Sequence, residues 1–371
     1  MIGRAAFRVD SATTIGAGHL TRCLTLAGSL AKSGVISRFV GRNHEGHLLD
    51  LASAAGHETI VLEAAHKATH DPATWIGATV EADAQDTVAA LQDIMTVDWL
   101  IVDHYGIDAT WHDRVSRACT RMLAIDDLAN RPLRVDVLLD HNYGAPEKPY
   151  AQAAPQARRL LGPQYALLDP RLEHARARAR ATTPRPECES RVLVSLGGSD
   201  PDDVTSWILS ILSDDLSRAA GVNVVIGRSH PAPHAVERAC RALHNAQLYV
   251  QASDMPSLLA DADVAIGAGG VSTLERACIG VPTLAVALAA NQVHALRALD
   301  RDGLLMHVDG FHDEPGIVQQ RYRDLVSELE RRRRMSAACR QAVDGRGLER
   351  VLHELLGGRP EHLRQIGGNH A

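Results

Sequence analysis

The sequence predicts an α/β protein built from two Rossmann-like halves. Short apolar runs alternate with longer stretches that suit helices, which is typical of parallel strands covered by helices on both faces. The alternation stops in a basic, Thr- and Pro-rich stretch after Leu172 and starts again near Arg191. We therefore expect an N-terminal domain over 1–170, a linker over 171–190, a C-terminal domain with charged helices over 191–356 and a flexible tail over 357–371.

The first half contains six runs that are short and almost continuously apolar, as buried parallel strands are. They are Ala5–Val9, Val35–Val40, Glu58–Leu62, Trp99–Asp103, Met122–Asp126 and Val135–Leu139. Helix-compatible stretches lie between them at Leu20–Ser33, Val80–Met95 and Trp111–Cys119. The first half therefore predicts one parallel sheet with helices on its faces.

The second half repeats this organisation with five strand-like runs. They are Arg191–Leu196, Val222–Ile226, Gln247–Val250, Asp263–Ile266 and Pro282–Val286. The stretch from Gly316 to Leu356 is helical in pattern and strongly charged, and its ELERRRR run indicates a solvated helix face.

Composition excludes several classes of protein. A chain of 371 residues with 45% hydrophobic residues suits two cores, and a net charge of −6 argues against nucleic-acid binding. No apolar run reaches the roughly 20 residues that cross a bilayer. The six cysteines form no CxxC pair and the 19 histidines no HExxH motif. We expect a cytoplasmic protein with a small-molecule substrate, no cofactor and no metal; the sequence leaves its oligomeric state open.

The motif GAGH follows the first strand and precedes the first helix. Gly16 and Gly18 leave room for a ligand's anionic group at the helix N-terminus, where Arg22 lies one turn further on. A helix N-terminus disfavours an imidazolium, so His19 is a candidate base. A glycine turn with no ligand explains the same motif equally well.

Two further motifs follow strands. VDHYG places Asp103, His104 and Tyr105 at a strand end, where they can orient a substrate or simply cap a turn. SLGGSDP opens the second half with Gly197, Gly198 and Ser199, which suits either a phosphate-adjacent turn or an ordinary capped one. Both motifs lie where ligands bind in open α/β sheets, at the carboxyl ends of the strands.

The most informative segment runs from Ala265 to Gln292. A strand leads into Gly269 and Gly270, and then Ser272 and Thr273 open a helix that carries Glu275. Glycines admit phosphates, helix N–H groups and hydroxyls bind them, and a carboxylate one turn further can accept from a ribose diol. A second strand ends near Asn291 and Gln292, whose amides can reach a polar ligand.

Six stretches of the chain together resemble one family. They are FRVDSATTIGAGHLTRCLTLA, VDHYG, AIDDLANRPLRVDVLLDHN, LLGPQYALLDP, VLVSLGGSDP and DMPSLLADADVAIGAGGVSTLERACIGVPTLAVALAANQ, in that order between Phe7 and Gln292. The family includes the hydrolase that removes UDP from UDP-2,4-diacetamido-2,4,6-trideoxy-β-L-altrose in pseudaminic acid biosynthesis, together with spore-coat polysaccharide proteins. Leu274 departs from the pattern, because many relatives carry an aromatic or amide residue before the glutamate.

The resemblance implies a GT-B fold, in which two Rossmann-like domains face each other across a cleft, as in inverting UDP-sugar transferases such as the one that makes lipid II. It implies that UDP binds mainly the C-terminal domain and that the sugar faces GAGH. His19 is then the base that takes a proton from water as the water attacks the anomeric carbon with inversion. Tyr105, with Asp103 or His104, orients that water or a sugar substituent.

Three alternatives stay open. The same fold supports a glycosyltransferase that uses a UDP-amino sugar and an acceptor in place of water. A non-catalytic nucleotide-sugar sensor needs the second-half segment but no His19. A hydrolysing 2-epimerase needs further carboxylates, which the sequence alone does not place.

Overall fold

The computed structural model describes residues 3–69, 71–94, 97–180, 185–198, 200–288, 290–310 and 315–357. Within them the chain forms two compact units. The first comprises the residues up to Leu167 together with the chain from Arg346, and the second is Leu168–Gly345. Each unit contains one parallel sheet.

Thirteen strands are present in the described ranges: β1 (Arg4–Val9), β2 (Ile36–Arg42), β3 (Glu58–Leu62), β4 (Val97–Asp103), β5 (Cys119–Ile125), β6 (Val137–Asp140), β7 (Arg158–Leu161), β8 (Arg191–Ser195), β9 (Gly221–Ile226), β10 (Ala246–Val250), β11 (Val264–Ala268), β12 (Thr283–Val286) and β13 (Met306–Val308). They form a seven-stranded sheet of order β3-β2-β1-β4-β5-β6-β7 and a six-stranded sheet of order β10-β9-β8-β11-β12-β13. All eleven predicted strands are confirmed. The short strands β7 and β13 were not predicted.

The α-helices of the described ranges are α1 (Gly18–Lys32), α2 (Asp50–Ala54), α3 (Val80–Leu91), α4 (Ala109–Val115), α5 (Glu147–Ala153), α6 (Arg171–Arg180), α7 (Val204–Ile211), α8 (Ser213–Leu216), α9 (Pro233–Ala242), α10 (Met255–Asp261), α11 (Val271–Ile279), α12 (Ala290–Arg301), α13 (Pro315–Ser327), α14 (Leu329–Ala342) and α15 (Gly347–Leu355). Single 3₁₀ turns lie at Pro72–Thr74, Ser116–Ala118, Pro163–Tyr165 and Glu187–Glu189. None of these helices is both long and apolar enough to span a membrane. The predicted two-domain α/β class is confirmed.

The last helix packs on the first sheet. Val351 and Leu355 of α15 are buried in the core that contains Phe7 and Leu26, and the indole N–H of Trp99 donates to the carbonyl of Leu355 at 2.8 Å. Its position in the chain predicts that this helix belongs to the C-terminal domain. Chain order misleads here because the apolar face of α15 is buried against strands more than two hundred residues earlier.

Helix α6 occupies the first half of the predicted linker and lies in the second unit. Its Arg176 is buried and donates to the carbonyls of Arg340 at 2.8 Å and Val343 at 2.9 Å, and also to that of Cys278. These carbonyls lie near the C-terminal ends of α14 and α11, where the helix dipole favours a cation. Of the segment predicted as a tail, only Gly357 is described.

A buried ion network stabilises the first unit. The Asp83 carboxylate of α3 is fully buried and accepts from Arg8 at 2.7 Å, Arg42 at 2.9 Å and the Trp111 indole at 2.8 Å. Burial opposes ionisation, but the Arg8 guanidinium holds the pKa of Asp83 below its usual value. Because these groups satisfy one another, removing the carboxylate leaves two buried cations short of a partner.

We expect Asp83→Ala to lower the free energy of unfolding by about 3–5 kcal/mol, the usual cost of breaking a buried ion pair. Asp113→Ala is the matched control, because Asp113 pairs with Arg134 at 2.9 Å on the surface. The control should lower stability by less than about 1 kcal/mol. Urea unfolding of both variants measures the difference, and equal small losses would contradict this account of the network.

Candidate functional site

The first cluster of site residues lies where β1 and β4 end. These strands are neighbours in the sheet, and Val9 lies opposite Asp103 in the register. The chain continues from β1 to β2 on one side, while β4 lies on the other side. This is the switch point of the strand order, where ligands bind in open α/β sheets. The loops after the two strands therefore start side by side.

The Asp103 carboxylate binds two cation-capable side chains from the first turn and a half of α1. His19 Nδ1 lies 2.6 Å from Asp103 Oδ1, and Arg22 donates through Nε to Oδ2 and through Nη2 to Oδ1, both at 2.6 Å. The Cys23 thiol lies 3.6 Å from the same carboxylate. Three residues predicted separately, His19, Arg22 and Asp103, thus form one buried cluster.

Charge and geometry determine which nitrogen of His19 is free. Burial alone would raise the pKa of Asp103, but the Arg22 guanidinium and His19 hold it well below its usual range. An ionised carboxylate only accepts hydrogen bonds, so Nδ1 of His19 carries the proton and donates to it. Arg22 Nη2, 3.1 Å from Nδ1, donates to Asp103 instead. In the neutral ring the lone pair is then on Nε2, which can take a proton.

In a second His–Asp pair the two loops exchange roles: the loop after β1 supplies the carboxylate of Asp10, and the loop after β4 supplies His104. His104 Nε2 lies 3.1 Å from Asp10 Oδ2. The His104 Nδ1 accepts from the N–H of Gly106 at 2.9 Å, so Nε2 carries the proton. Arg42 N–H also donates to Asp10 at 2.6 Å. His104 was predicted to contact substrate; the structure buries it, with Nδ1 bound by the N–H of Gly106 and Nε2 within 3.1 Å of Asp10.

Two aromatic rings cover His19. The ring of Tyr105 lies edge-on to the imidazole at 4.8 Å between centroids, and that of Trp75 does so at 5.6 Å; Trp75 and Tyr105 stack on each other at 5.2 Å. Burial raises the pKa of the Tyr105 phenol, and the Asp127 carboxylate raises it further. Tyr105 therefore stays protonated. Its side chain can form hydrogen bonds or line the site, but it does not act as a base.

The glycines of GAGH have different roles. Gly16 has a φ of +84°, which favours glycine, and Gly18 is the first residue of α1. A side chain added at either position would meet no atom within 4 Å, so both are open to a ligand. Ala17 gives no side-chain cap and the first turn has no acidic residue, so the N–H groups of this end can bind an anion.

The second unit brings together the residues around the start of α11. Gly270 has a φ of +131° and open space where a side chain would lie, whereas the space at Gly269 is filled by Gln292. Thr273 is buried and donates its hydroxyl to the carbonyl of Ala268 at 3.2 Å, while Ser272 is half-buried. The loop therefore presents Gly270 and Ser272 outward.

Glu275 lies one turn into α11 and is half-buried. Burial raises the pKa of its carboxyl to about 7. Gln292 folds back so that its Oε1 accepts from the N–H of Leu288 at 3.0 Å, which leaves its amide nitrogen for a ligand. The side chain of Asn291, another predicted contact, lies outside the described part of the chain.

The SLGGSDP turn is held by a hydrogen-bonded cap. Asp200 accepts from the N–H groups of Val204 at 3.0 Å and Thr205 at 2.8 Å. His230 Nε2 lies 3.2 Å from the same carboxylate, and its Nδ1 accepts from the N–H of Ala232 at 3.2 Å. Gly197 has a φ of +102° and open space around it. Ser199 lies outside the described residues.

Among the described residues, Asp200, Asp203 and His230 are the set close enough to hold a metal ion. The hydrogen bonds argue against that use, because the N–H of Ala232 fixes the proton on Nε2, and the imidazole then presents an N–H to both carboxylates. The trio fits a helix cap better than a metal site. At Gly198 a side chain would meet open space, whereas a side chain at Gly227 would collide with the Gly198 carbonyl.

Sequence reasoning missed several residues of these clusters. Trp75 directly follows the 3₁₀ turn Pro72–Thr74 and is distant from His19 in the sequence. Asp10 and Asp127 are carboxylates in loops. Asp126 accepts hydrogen bonds from Arg131 at 2.6 Å and from the backbone N–H groups of Leu128 and Ala129. No local pattern marks these positions, because their partners come from distant strands.

The chain is similar in sequence to two curated proteins. It is 31% identical over 195 residues to the spore coat polysaccharide biosynthesis protein SpsG of Bacillus subtilis (strain 168), which covers 51% of this chain and 56% of that protein. It is 20% identical over 288 residues to an uncharacterized protein of Methanocaldococcus jannaschii, which covers 76% of this chain and 55% of that one. The chain thus spans just over half the length of these relatives. No family model matches it.

Solved structures resemble the whole chain. MurG of Acinetobacter baumannii has a TM-score of 0.65 at 13% identity, covering 96% of this chain and 99% of its own. The glycotransferase of kitacinnamycin gives 0.61 at 16%, covering 97% and 100%, and a putative UDP-N-acetylglucosamine 2-epimerase of Listeria monocytogenes gives 0.55 at 14%, covering 95% of each. The chain has the GT-B fold. The predicted fold class is confirmed.

We expect the His19 ring to carry its proton on Nδ1 at neutral pH, because Asp103 accepts from that nitrogen. Long-range ¹H–¹⁵N correlation spectra report the tautomer, and the signals missing from His19→Gln assign it. Asp103→Asn should increase the fraction of the Nε2–H tautomer, since an amide can donate to Nδ1. A spectrum with Nε2–H dominant in the unsubstituted protein would contradict the geometry.

Proposed function

We propose that this chain is an enzyme that acts on a nucleotide sugar and breaks the bond between the anomeric carbon and the diphosphate oxygen, releasing UDP. The observation that carries the proposal is the His19–Asp103–Arg22 cluster at the switch point of the first sheet. A histidine fixed by a carboxylate through Nδ1 has Nε2 available as a general base. The fold and the similarity to SpsG support the nucleotide-sugar class.

In this proposal His19 Nε2 takes the proton from the hydroxyl that attacks the anomeric carbon. The imidazolium that forms is stabilised by Asp103, whose ionised state Arg22 maintains. Proton transfer by a positioned base typically contributes 10²–10⁴-fold in rate. Tyr105, kept neutral by burial and by Asp127, orients the attacking oxygen or a sugar substituent.

The nucleotide half of the substrate is assigned to the second unit. Gly270 and Ser272 at the start of α11 suit a diphosphate, because the N–H groups of the first turn attract an anion. Glu275 lies one turn further and suits a ribose diol, with Gly269 and Gln292 beneath the loop. Leaving-group charge is met by the helix N-terminus and by hydroxyl donors, so the proposal needs no metal.

Glycosyl transfer to an acceptor hydroxyl is the first candidate reaction. MurG, the calicheamicin glycosyltransferase CalG4 and the glycotransferase of kitacinnamycin all align with more than 90% of this chain, and two of these three are named as glycosyl- or glycotransferases. In a transferase His19 deprotonates the acceptor. The known fold accommodates either reaction, so the attacking group decides between them.

Hydrolysis of a UDP-linked diacetamido-trideoxy hexose, as in biosynthesis of pseudaminic or a related nonulosonic acid, is the second candidate. The rings of Trp75 and Tyr105 leave His19 only 9% exposed, which favours an attacker as small as water. The similarity to SpsG and the six motifs shared with the hydrolase family also support it.

A panel of UDP-sugars, including UDP-amino sugars, distinguishes these reactions. The purified protein is incubated with each donor, with and without sugar and lipid-linked acceptors, and released UDP is measured. Release that requires an acceptor indicates transfer, and release in water alone indicates hydrolysis. A donor returned as its epimer, or binding without turnover across the panel, would contradict the proposed bond cleavage.

On the donor that this panel identifies, His19→Asn should lower kcat by about 10²–10⁴-fold and leave the affinity for UDP nearly unchanged. The reason is that the base acts on the attacking group and the nucleotide is assigned to other residues. His234→Asn, whose side chain is 88% exposed, is the matched control and should keep full activity. Near-normal kcat in His19→Asn means that the base is another group.

A further inference from the structure

Arg276 is a buried cation with no carboxylate in direct contact, although the neighbouring Glu275 partly offsets its charge. Its side chain is 3% exposed and takes part in no ion pair with any residue that the structure describes. The guanidinium donates only to neutral acceptors: the carbonyl of Ala268 at 2.6 Å, the Thr273 hydroxyl at 3.1 Å and the Ser272 hydroxyl at 3.1 Å. A buried charge normally has a counter-charge, so this one indicates that an anion binds nearby.

The position of the guanidinium strengthens that conclusion. The backbone of Arg276 lies in the second turn of α11, but its side chain extends back to Ser272 and Thr273 in the first turn. Helix N-termini are electropositive, so the dipole adds to the positive charge of the guanidinium. The buried Arg176 shows the opposite arrangement, because it binds carbonyls at helix C-terminal ends. Burial accordingly lowers the pKa of Arg276 to about 10.

Gly267 makes room for this side chain. A side chain at Gly267 would collide with the Arg276 guanidinium, so the end of β11 has to be glycine for the arginine to lie beneath the loop. Above it, Gly270 has open space and a φ that favours glycine. The loop therefore has a cation on its inner side and free access on its outer side.

The hydroxyl of Ser272 links the guanidinium on the inner side of the loop to the open outer side. Its oxygen accepts from Arg276 Nη1, so its own proton is free to point away from the guanidinium. The Thr273 hydroxyl differs, because its proton is used by the carbonyl of Ala268. A donor that accepts from a cation is polarised and becomes a stronger donor to an anion.

We propose that Arg276 is the positioning residue for the diphosphate of the nucleotide, supplying the counter-charge beneath the loop and orienting the Ser272 hydroxyl towards it. The inference rests on the proposed function, since it assigns the nucleotide to this loop. It adds the residue that gives the site its preference for a diphosphate over the nucleoside alone.

Calorimetry with UDP and with uridine tests the inference. In the unsubstituted protein UDP should bind more tightly than uridine. Arg276→Gln should lower the ratio of the two affinities by about tenfold or more while uridine binds as before, because only the diphosphate meets the charge. Arg276→Lys should lower this ratio of affinities by less than Arg276→Gln does. Arg176→Gln removes another buried arginine of the same unit and should leave the ratio unchanged.

Ser272→Ala tests the connection through the hydroxyl. It should lower the same ratio, and adding it to Arg276→Gln should cause little further loss, because both act on one hydrogen bond. If Arg276→Gln does not fold, the Lys and Ser272→Ala variants give the same comparison.

Two results overturn the inference and leave the proposed function intact: an unchanged ratio in Arg276→Gln, or equal losses for UDP and uridine, which a purely structural role would produce. Absence of UDP binding by the unsubstituted protein would instead remove the nucleotide assignment itself.

Discussion

The Asp103 carboxylate is the group on which the first site depends. It lies buried at the end of a central strand, where burial alone would raise its pKa, and the Arg22 guanidinium holds that pKa well below its usual range. Because the ionised carboxylate can only accept hydrogen bonds, the neutral ring of His19 carries its proton on Nδ1, and Nε2 is the basic nitrogen. One group of hydrogen bonds therefore joins the end of β4 to α1 and determines which nitrogen of His19 is basic.

The reciprocal pair formed by Asp10 and His104 explains why this geometry is stable. Each of the two loops gives a carboxylate to the other loop and receives a histidine from it. Parallel neighbours with a switch in strand order bring these ends together, so the exchange follows from the topology. Arg276 has the matching position in the second unit, where a buried cation lies under a glycine loop. In both units the helix after the glycine loop supplies a buried arginine, Arg22 in the first and Arg276 in the second.

The sequence predicted the strands and the helix starts well because buried parallel strands and glycine loops have strong local patterns. It predicted His19, Arg22 and Asp103 as site residues, but their mutual contact depends on the order of strands in the sheet. No sequence pattern marks Arg276 as a site residue, because a charged residue on a helix is usually solvated. The RLEHARARAR sequence of α6 has no core pattern and therefore predicts a helix end and linker, whereas its buried Arg176 binds carbonyls of distant helices.

The stereochemistry of the reaction tests the central claim most directly. A base that deprotonates the attacking hydroxyl acts in a single displacement, with the attacker on the face opposite the departing diphosphate. Proton NMR of the first product formed from an anomerically pure UDP-sugar, recorded before mutarotation, shows its configuration. The account predicts complete inversion at the anomeric carbon. Retention would contradict it, because two displacements require a nucleophile on the protein and not His19 acting as a base.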